Sequence, residues 1–169
     1  MDERLSSIFA AISGSELSTV ATVVLGVDRV QLGTVEFDEI KKPHADPRTI
    51  GIVRVSGTRV VNSEERAWST VTKLIDMNVE NTLGTPVDPR NEVLIYERGL
   101  FTAVRSTGMR PARCYHVSRP RDGLTILWLE DLTGAENPPF TIDALREMAS
   151  HLGEWNARTA ANRPQLDFP

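Results

Sequence analysis

Ala67-Trp68-Ser69-Thr70-Val71-Thr72-Lys73-Leu74-Ile75 decides how the chain is read. Thr70, Val71 and Thr72 are β-branched, Trp68 and Ile75 favour sheet, and no Gly or Pro interrupts the run, so a strand is expected. Lys73 sits near its end, where a point charge at the edge of a sheet can meet an anion. Fifteen residues beyond Lys73, Asp88-Pro89-Arg90-Asn91-Glu92-Val93 has the form of a helix start that carries a carboxylate. Asp88 suits the N-cap and Pro89 the first helical position.

Working back from this stretch, Thr49-Ile50-Gly51-Ile52-Val53-Arg54-Val55-Ser56-Gly57 reads as a strand, and Val60–Arg66 continues it into the Trp68–Ile75 strand. Val27 to Ile40 shifts towards period two, with a change of phase near Gly33 that predicts a bulged strand. Three successive strands joined by loops argue for an antiparallel meander. Lys41–Arg48 is polar, holds two prolines and reads as a loop. Ahead of the strands, Leu5, Ile8, Phe9 and Ile12 make one helical face. Ser13 and Glu16 have capping-box spacing for a second helix, which Gly26 ends. Both helices are expected to pack outside the sheet.

Working forward, the Asp88 helix is expected to run to about Ser106, with Val93, Tyr96, Leu100, Phe101 and Val104 on its apolar face and Gly108 ending it. Arg113–Ser118 reads as a fourth strand, Arg119–Gly123 as a turn, and Leu124-Thr125-Ile126-Leu127-Trp128-Leu129 as a fifth strand, central because it is almost wholly apolar. After Glu130–Gly134 and a linker at Ala135–Pro139, Thr141 caps a last helix, with Phe140 and Leu145 spaced as a staple. Its stripe Leu145, Met148, Ala149, Leu152 and Trp155 reads as core, or as an interface if nothing covers it. Residues 160–169 read as an extended tail. The fold class expected is α+β, with about five mainly antiparallel strands, one packed helix, N-terminal helices and a trailing helix. The expected segments are 1–26, 27–134 and 135–169.

The 169 residues fit one domain, with 40% hydrophobic and 25% charged residues, ordinary for a globular protein. A net charge of −4 and the lack of any basic run argue against a nucleic-acid binder. Cys114 is the single cysteine, which fits a reducing, cytoplasmic setting. Met1-Asp2-Glu3-Arg4 does not open a secretory signal, and the longest apolar stretch, Val20–Val27, is too short to span a bilayer. His44, His116 and His151 lack metal-ligand spacing, so no metal site is expected. Ser56, Ser69 and Ser118 have no G-x-S-x-G setting for a hydrolase.

Several pieces, taken in order, carry a resemblance. They are Gly51-Ile52-Val53-Arg54-Val55-Ser56-Gly57-Thr58, Trp68-Ser69 ahead of Lys73, and Asp88-Pro89-Arg90-Asn91-Glu92-Val93-Leu94-Ile95-Tyr96. Leu127-Trp128-Leu129-Glu130-Asp131-Leu132 and Ala149–Asn156 complete the series. Over roughly residues 27–158 the chain resembles the amino-terminal lobe of the aminoglycoside phosphotransferase and protein-kinase-like family.

The resemblance implies ATP and Mg²⁺ as cofactors and phosphoryl transfer to a small-molecule hydroxyl. It implies that Lys73 contacts the α- and β-phosphates and that Glu92 orients Lys73. It makes Glu130, Asp131 and Leu132 the hinge whose backbone bonds the adenine, puts Trp128 and Leu129 near the base, and makes Asp38–Gly51 the phosphate-covering turn. That turn has no G-x-G-x-x-G, and Lys41, Lys42, His44 and Gly51 make a poor cradle.

The family's catalytic-loop aspartate and its Mg²⁺ ligands lie beyond the last helix, and Asp167 comes too early to be one of them. A truncated lobe, inactive alone and completed by a C-lobe partner chain, is therefore expected. A non-catalytic interaction module that dimerises through the Leu145–Trp155 helix is the alternative. An unrelated α+β small-ligand fold is the third reading, favoured if Lys73 and Glu92 point to different faces.

Overall fold

β-Branched and apolar runs at Gln31–Ile40, Thr49–Val61, Glu64–Asp76, Cys114–Arg121 and Leu124–Glu130 form strands β1 to β5. The computed structural model describes residues 3–28, 31–40, 48–61, 64–79, 89–99, 110–133 and 141–161. The strands make one antiparallel sheet in the order β1-β2-β3-β5-β4. The first three follow the expected meander, and β5 inserts between β3 and β4. Four helices are described: α1 (Glu3–Ala10), α2 (Gly14–Leu25), α3 (Pro89–Glu97) and α4 (Ile142–Ala161). The fold is α+β. The chain divides into two compact units, Met1–Val93 with Ala112–Asp131, and Leu94–Pro111 with Leu132–Pro169.

In the first unit, α1 and α2 cover one face of the sheet. Leu5, Ile8, Phe9, Leu17, Val20 and Ala21 pack with Val53, Val55, Trp68, Leu74, Ile126 and Trp128 in a single cluster. Each fully buried aliphatic side chain here stabilises the fold by about 1.5–3 kcal/mol. The α2 ends follow the sequence reading. The Ser13 hydroxyl accepts from Glu16 N at 3.1 Å, and Gly26 takes a left-handed conformation at φ 66°. The phase change in β1 is a register irregularity between Leu32 and Val35. It turns on Gly33, where a Cβ would stand 2.8 Å from Thr58 O.

Several boundaries differ from the sequence reading. β1 reaches Ile40 and β2 starts at Thr49, so Asp38 and Gly51 are strand residues and not part of a phosphate-covering turn. Gly51 serves packing instead, since a Cβ there would meet Leu5 Cδ2 at 2.9 Å. Lys41, Lys42 and His44 lie outside the described residues. β4 extends through Pro120 to Arg121, and the turn shrinks to Asp122-Gly123, with Gly123 at φ 73°.

α3 stops at Glu97, well short of Ser106. Gly99 at φ 63° ends it, with Gly99 N donating to Tyr96 O at 3.2 Å. Asp88, Leu100, Phe101, Val104 and Gly108 lie outside the described residues.

In the second unit, α4 is capped as expected, with Ala144 N donating to Thr141 Oγ1 at 3.2 Å. Phe140, the Trp155 side chain and the tail lie outside the described residues. The stripe is not core. Ile142 is 68% exposed, Leu145 48%, Met148 45% and Leu152 49%. A single amphipathic helix cannot bury its own stripe. No single helix among the described residues is long and apolar enough to cross a membrane.

Candidate functional site

Strand alternation sorts β3 into two faces. Trp68, Thr70, Thr72 and Leu74 point to the side covered by α1 and α2, and all are buried. Two of their hydroxyls are satisfied by neighbouring strands. Thr72 Oγ1 donates to Val53 O at 2.9 Å and Thr70 Oγ1 to Leu129 O at 2.6 Å. Ser69, Val71 and Lys73 point the other way and are only half-buried.

The register extends this second face across the sheet. Ile52, Lys73 and Leu127 stand side by side on β2, β3 and β5, and so do Arg54, Val71 and Leu129. The face is therefore apolar along its middle, with two cations set into it. Neither cation is left alone.

Lys73 Nζ donates to Glu92 Oε2, joining β3 to the first turn of α3. Both side chains are partly buried, at 23% and 33% exposure, so the pair is less screened than a surface pair. Val93, next to Glu92, is buried and seats the start of the helix. Glu92 thus combines a favourable position near a helix N-terminus with a partner on the sheet.

The second cation reaches the exit of β5. Arg54 Nε donates to Asp131 Oδ2 at 3.0 Å, and the Asp131 side chain is only 6% exposed. Sequence reasoning missed this pair. The sole signal is an arginine flanked by the apolar residues Val53 and Val55, and its partner is 77 residues away.

Glu130 is tied to the start of β4. Its N–H donates to Arg113 O at 2.7 Å, and its Oε2 accepts from Arg113 N at 3.1 Å. Leu132 is half exposed.

Trp128 does not share the Lys73 face. It stands opposite Thr72, fully buried, and its Nε1 donates to Ser118 Oγ at 2.9 Å. A one-residue step along a strand changes face, which leaves Leu127 and Leu129 on the Lys73 side.

Further along the same face, Thr34, Glu36, Ser56, Thr58, Ala67 and Ser69 line an open groove of about 410 Å³. No cluster of three His, Cys, Asp or Glu side chains suited to a metal ion exists among the described residues.

This arrangement suits an extended ligand with an apolar flat part and an anionic part. The anion would meet Lys73, whose charge is aimed by Glu92, and the flat part would lie on Val71 and Leu129. No family model, curated protein or solved structure matches the chain.

Proposed function

We propose that this chain is the nucleotide-binding lobe of a small-molecule kinase of the aminoglycoside-phosphotransferase-like type. The observation that carries the proposal is the Lys73–Glu92 pair, a strand lysine held by a helix carboxylate, on the half-open face of the sheet. Kinases use this pairing to hold a lysine against the phosphates of ATP. The sheet order adds support. The Lys73 face lies between the end of the sheet where β1 gives way to β2 and the end where β5 exits at Glu130. A nucleotide on this face would have its phosphates at Lys73 and its base towards Glu130 and Asp131.

Mg²⁺ carried with the triphosphate would neutralise phosphate charge and leave Lys73 to orient it. The family resemblance assigns the Mg²⁺ ligands and the proton-accepting aspartate to segments beyond α4. What is proposed for these residues is therefore nucleotide binding, with phosphoryl transfer to a hydroxyl only alongside those segments, whether in this chain or in a C-lobe partner. Calorimetry of Mg-ATP with the 169-residue chain and with Lys73→Ala tests the proposal. Binding that weakens in the variant supports it, and absence of binding to the unaltered chain counts against it.

A second reading has its own observation. Ile142, Leu145, Met148 and Leu152 give α4 an exposed apolar stripe. A non-catalytic module that dimerises through this helix would use that stripe and be indifferent to ATP. Light scattering that finds a strict monomer at every concentration would remove this reading.

A further inference from the structure

Arg54 and Asp131 stand on β2 and just past the end of β5, with β3 between them. Two strand spacings separate β2 from β5, about 9.5 Å. A direct Nε to Oδ2 bond of 3.0 Å across that gap lays the Arg54 side chain over β3, beside Val71. Asp131 is almost completely withdrawn from solvent, whereas the Arg54 side chain keeps 34% exposure. The carboxylate is thus the more deeply anchored partner, and the Arg54 side chain keeps part of its surface on the face that also holds Lys73.

A buried carboxylate stripped of its cation is costly, so the arginine is held in this position. A guanidinium is planar, is permanently charged and stacks on aromatic rings. Val71 and Leu129, the neighbours of Arg54 across the sheet, are apolar. Arg54 is the cation nearer the exit of β5, and Lys73 lies one pair of residues further along the face.

We infer that Arg54 is a specificity-determining residue that stacks on the nucleobase, and that Asp131 is the positioning residue that holds it there. The inference rests on the nucleotide-binding reading and deepens it. Recognition is divided along the face. Lys73 takes the polyphosphate, which any nucleoside triphosphate or bare tripolyphosphate offers, and Arg54 takes the base, which only a nucleotide offers.

The experiment compares Mg-ATP with magnesium tripolyphosphate, by calorimetry on the full chain and on Arg54→Lys, Asp131→Asn and Lys73→Ala. Lysine keeps the charge at position 54 and its reach to Asp131 but loses the stacking plane. Arg54→Lys is expected to weaken Mg-ATP about tenfold, because an ammonium lacks the planar stacking surface of a guanidinium, and to leave tripolyphosphate within about twofold. Asp131→Asn is expected to shift the ATP-to-tripolyphosphate ratio in the same direction by a smaller factor. Lys73→Ala weakens both ligands.

An Arg54→Lys variant that weakens both ligands alike, or neither, overturns the inference and leaves the nucleotide reading standing on the Lys73 result. Should Arg54→Lys melt below the assay temperature, Asp131→Asn decides by the same ratio. Failure of the unaltered chain to bind either ligand overturns the nucleotide reading and the inference with it.

Discussion

Lys73 and Glu92 are 19 residues apart in sequence and meet as a partly buried ion pair between β3 and the first turn of α3. One contact thereby fixes both the direction of the lysine and the seat of the helix's first turn. A double-mutant cycle with Lys73→Met and Glu92→Gln should give a coupling of about 1 kcal/mol in urea denaturation, at the upper end of the range for exposed pairs. A coupling near zero would mean that the two side chains do not act on one another in solution.

Trp128 and Leu129 are neighbours in sequence on opposite faces of β5, which makes them a matched pair of probes. Trp128→Phe should destabilise the fold by about 1–3 kcal/mol, through lost volume and the lost bond to Ser118, and leave Mg-ATP affinity unchanged. Leu129→Ala should weaken Mg-ATP binding several-fold. Thermal melts together with calorimetry on both variants separate the effects. The reverse pattern would put the ligand on the other face.

Gly57 packs where a side chain does not fit. A Cβ there would lie 2.5 Å from Thr34 O and 3.1 Å from Trp68 Nε1. Neither neighbour yields easily, since one is backbone and the other belongs to a buried indole. Gly57→Ala should cost about 2 kcal/mol and lower Tm by roughly 4–8 °C in differential scanning calorimetry.

The α4 stripe makes a prediction by its exposure. Leu145→Glu with Leu152→Glu should change stability by no more than about 0.5 kcal/mol each, because neither side chain is buried. If α4 is a dimerisation surface, the same pair of substitutions should convert a concentration-dependent dimer to a monomer in light scattering.

Much of the sheet was legible because its signals are local. β-Branched runs marked β2 and β3, the phase slip at Gly33 marked the bulge, and the unbroken apolar run of β5 marked a central strand. The same run concealed which of its side chains face Lys73, because an almost wholly apolar strand carries little alternation to read. Only pairing with β3 distinguishes Trp128 from Leu129. The end of α3 was hidden for a different reason. Leu100, Phe101 and Val104 continue the helical spacing past Gly99, whose left-handed conformation stops the helix. Arg54–Asp131 was out of reach because nothing within one strand indicates a partner across two others.

The insertion of β5 between β3 and β4 has a kinetic consequence. β1, β2 and β3 pair with sequence neighbours, whereas the Thr70–Leu129 bond closes a span of 59 residues. Such closures lose much chain entropy before any contact rewards them, so they slow folding. Leu127 and Leu129 lie on the strand that makes this closure, and Asp131 follows directly behind it. Without that closure, β1 to β3 present Lys73 on half a platform. A ligand held on this face would then depend on the long-range closure, and its binding would report on whether that closure is made.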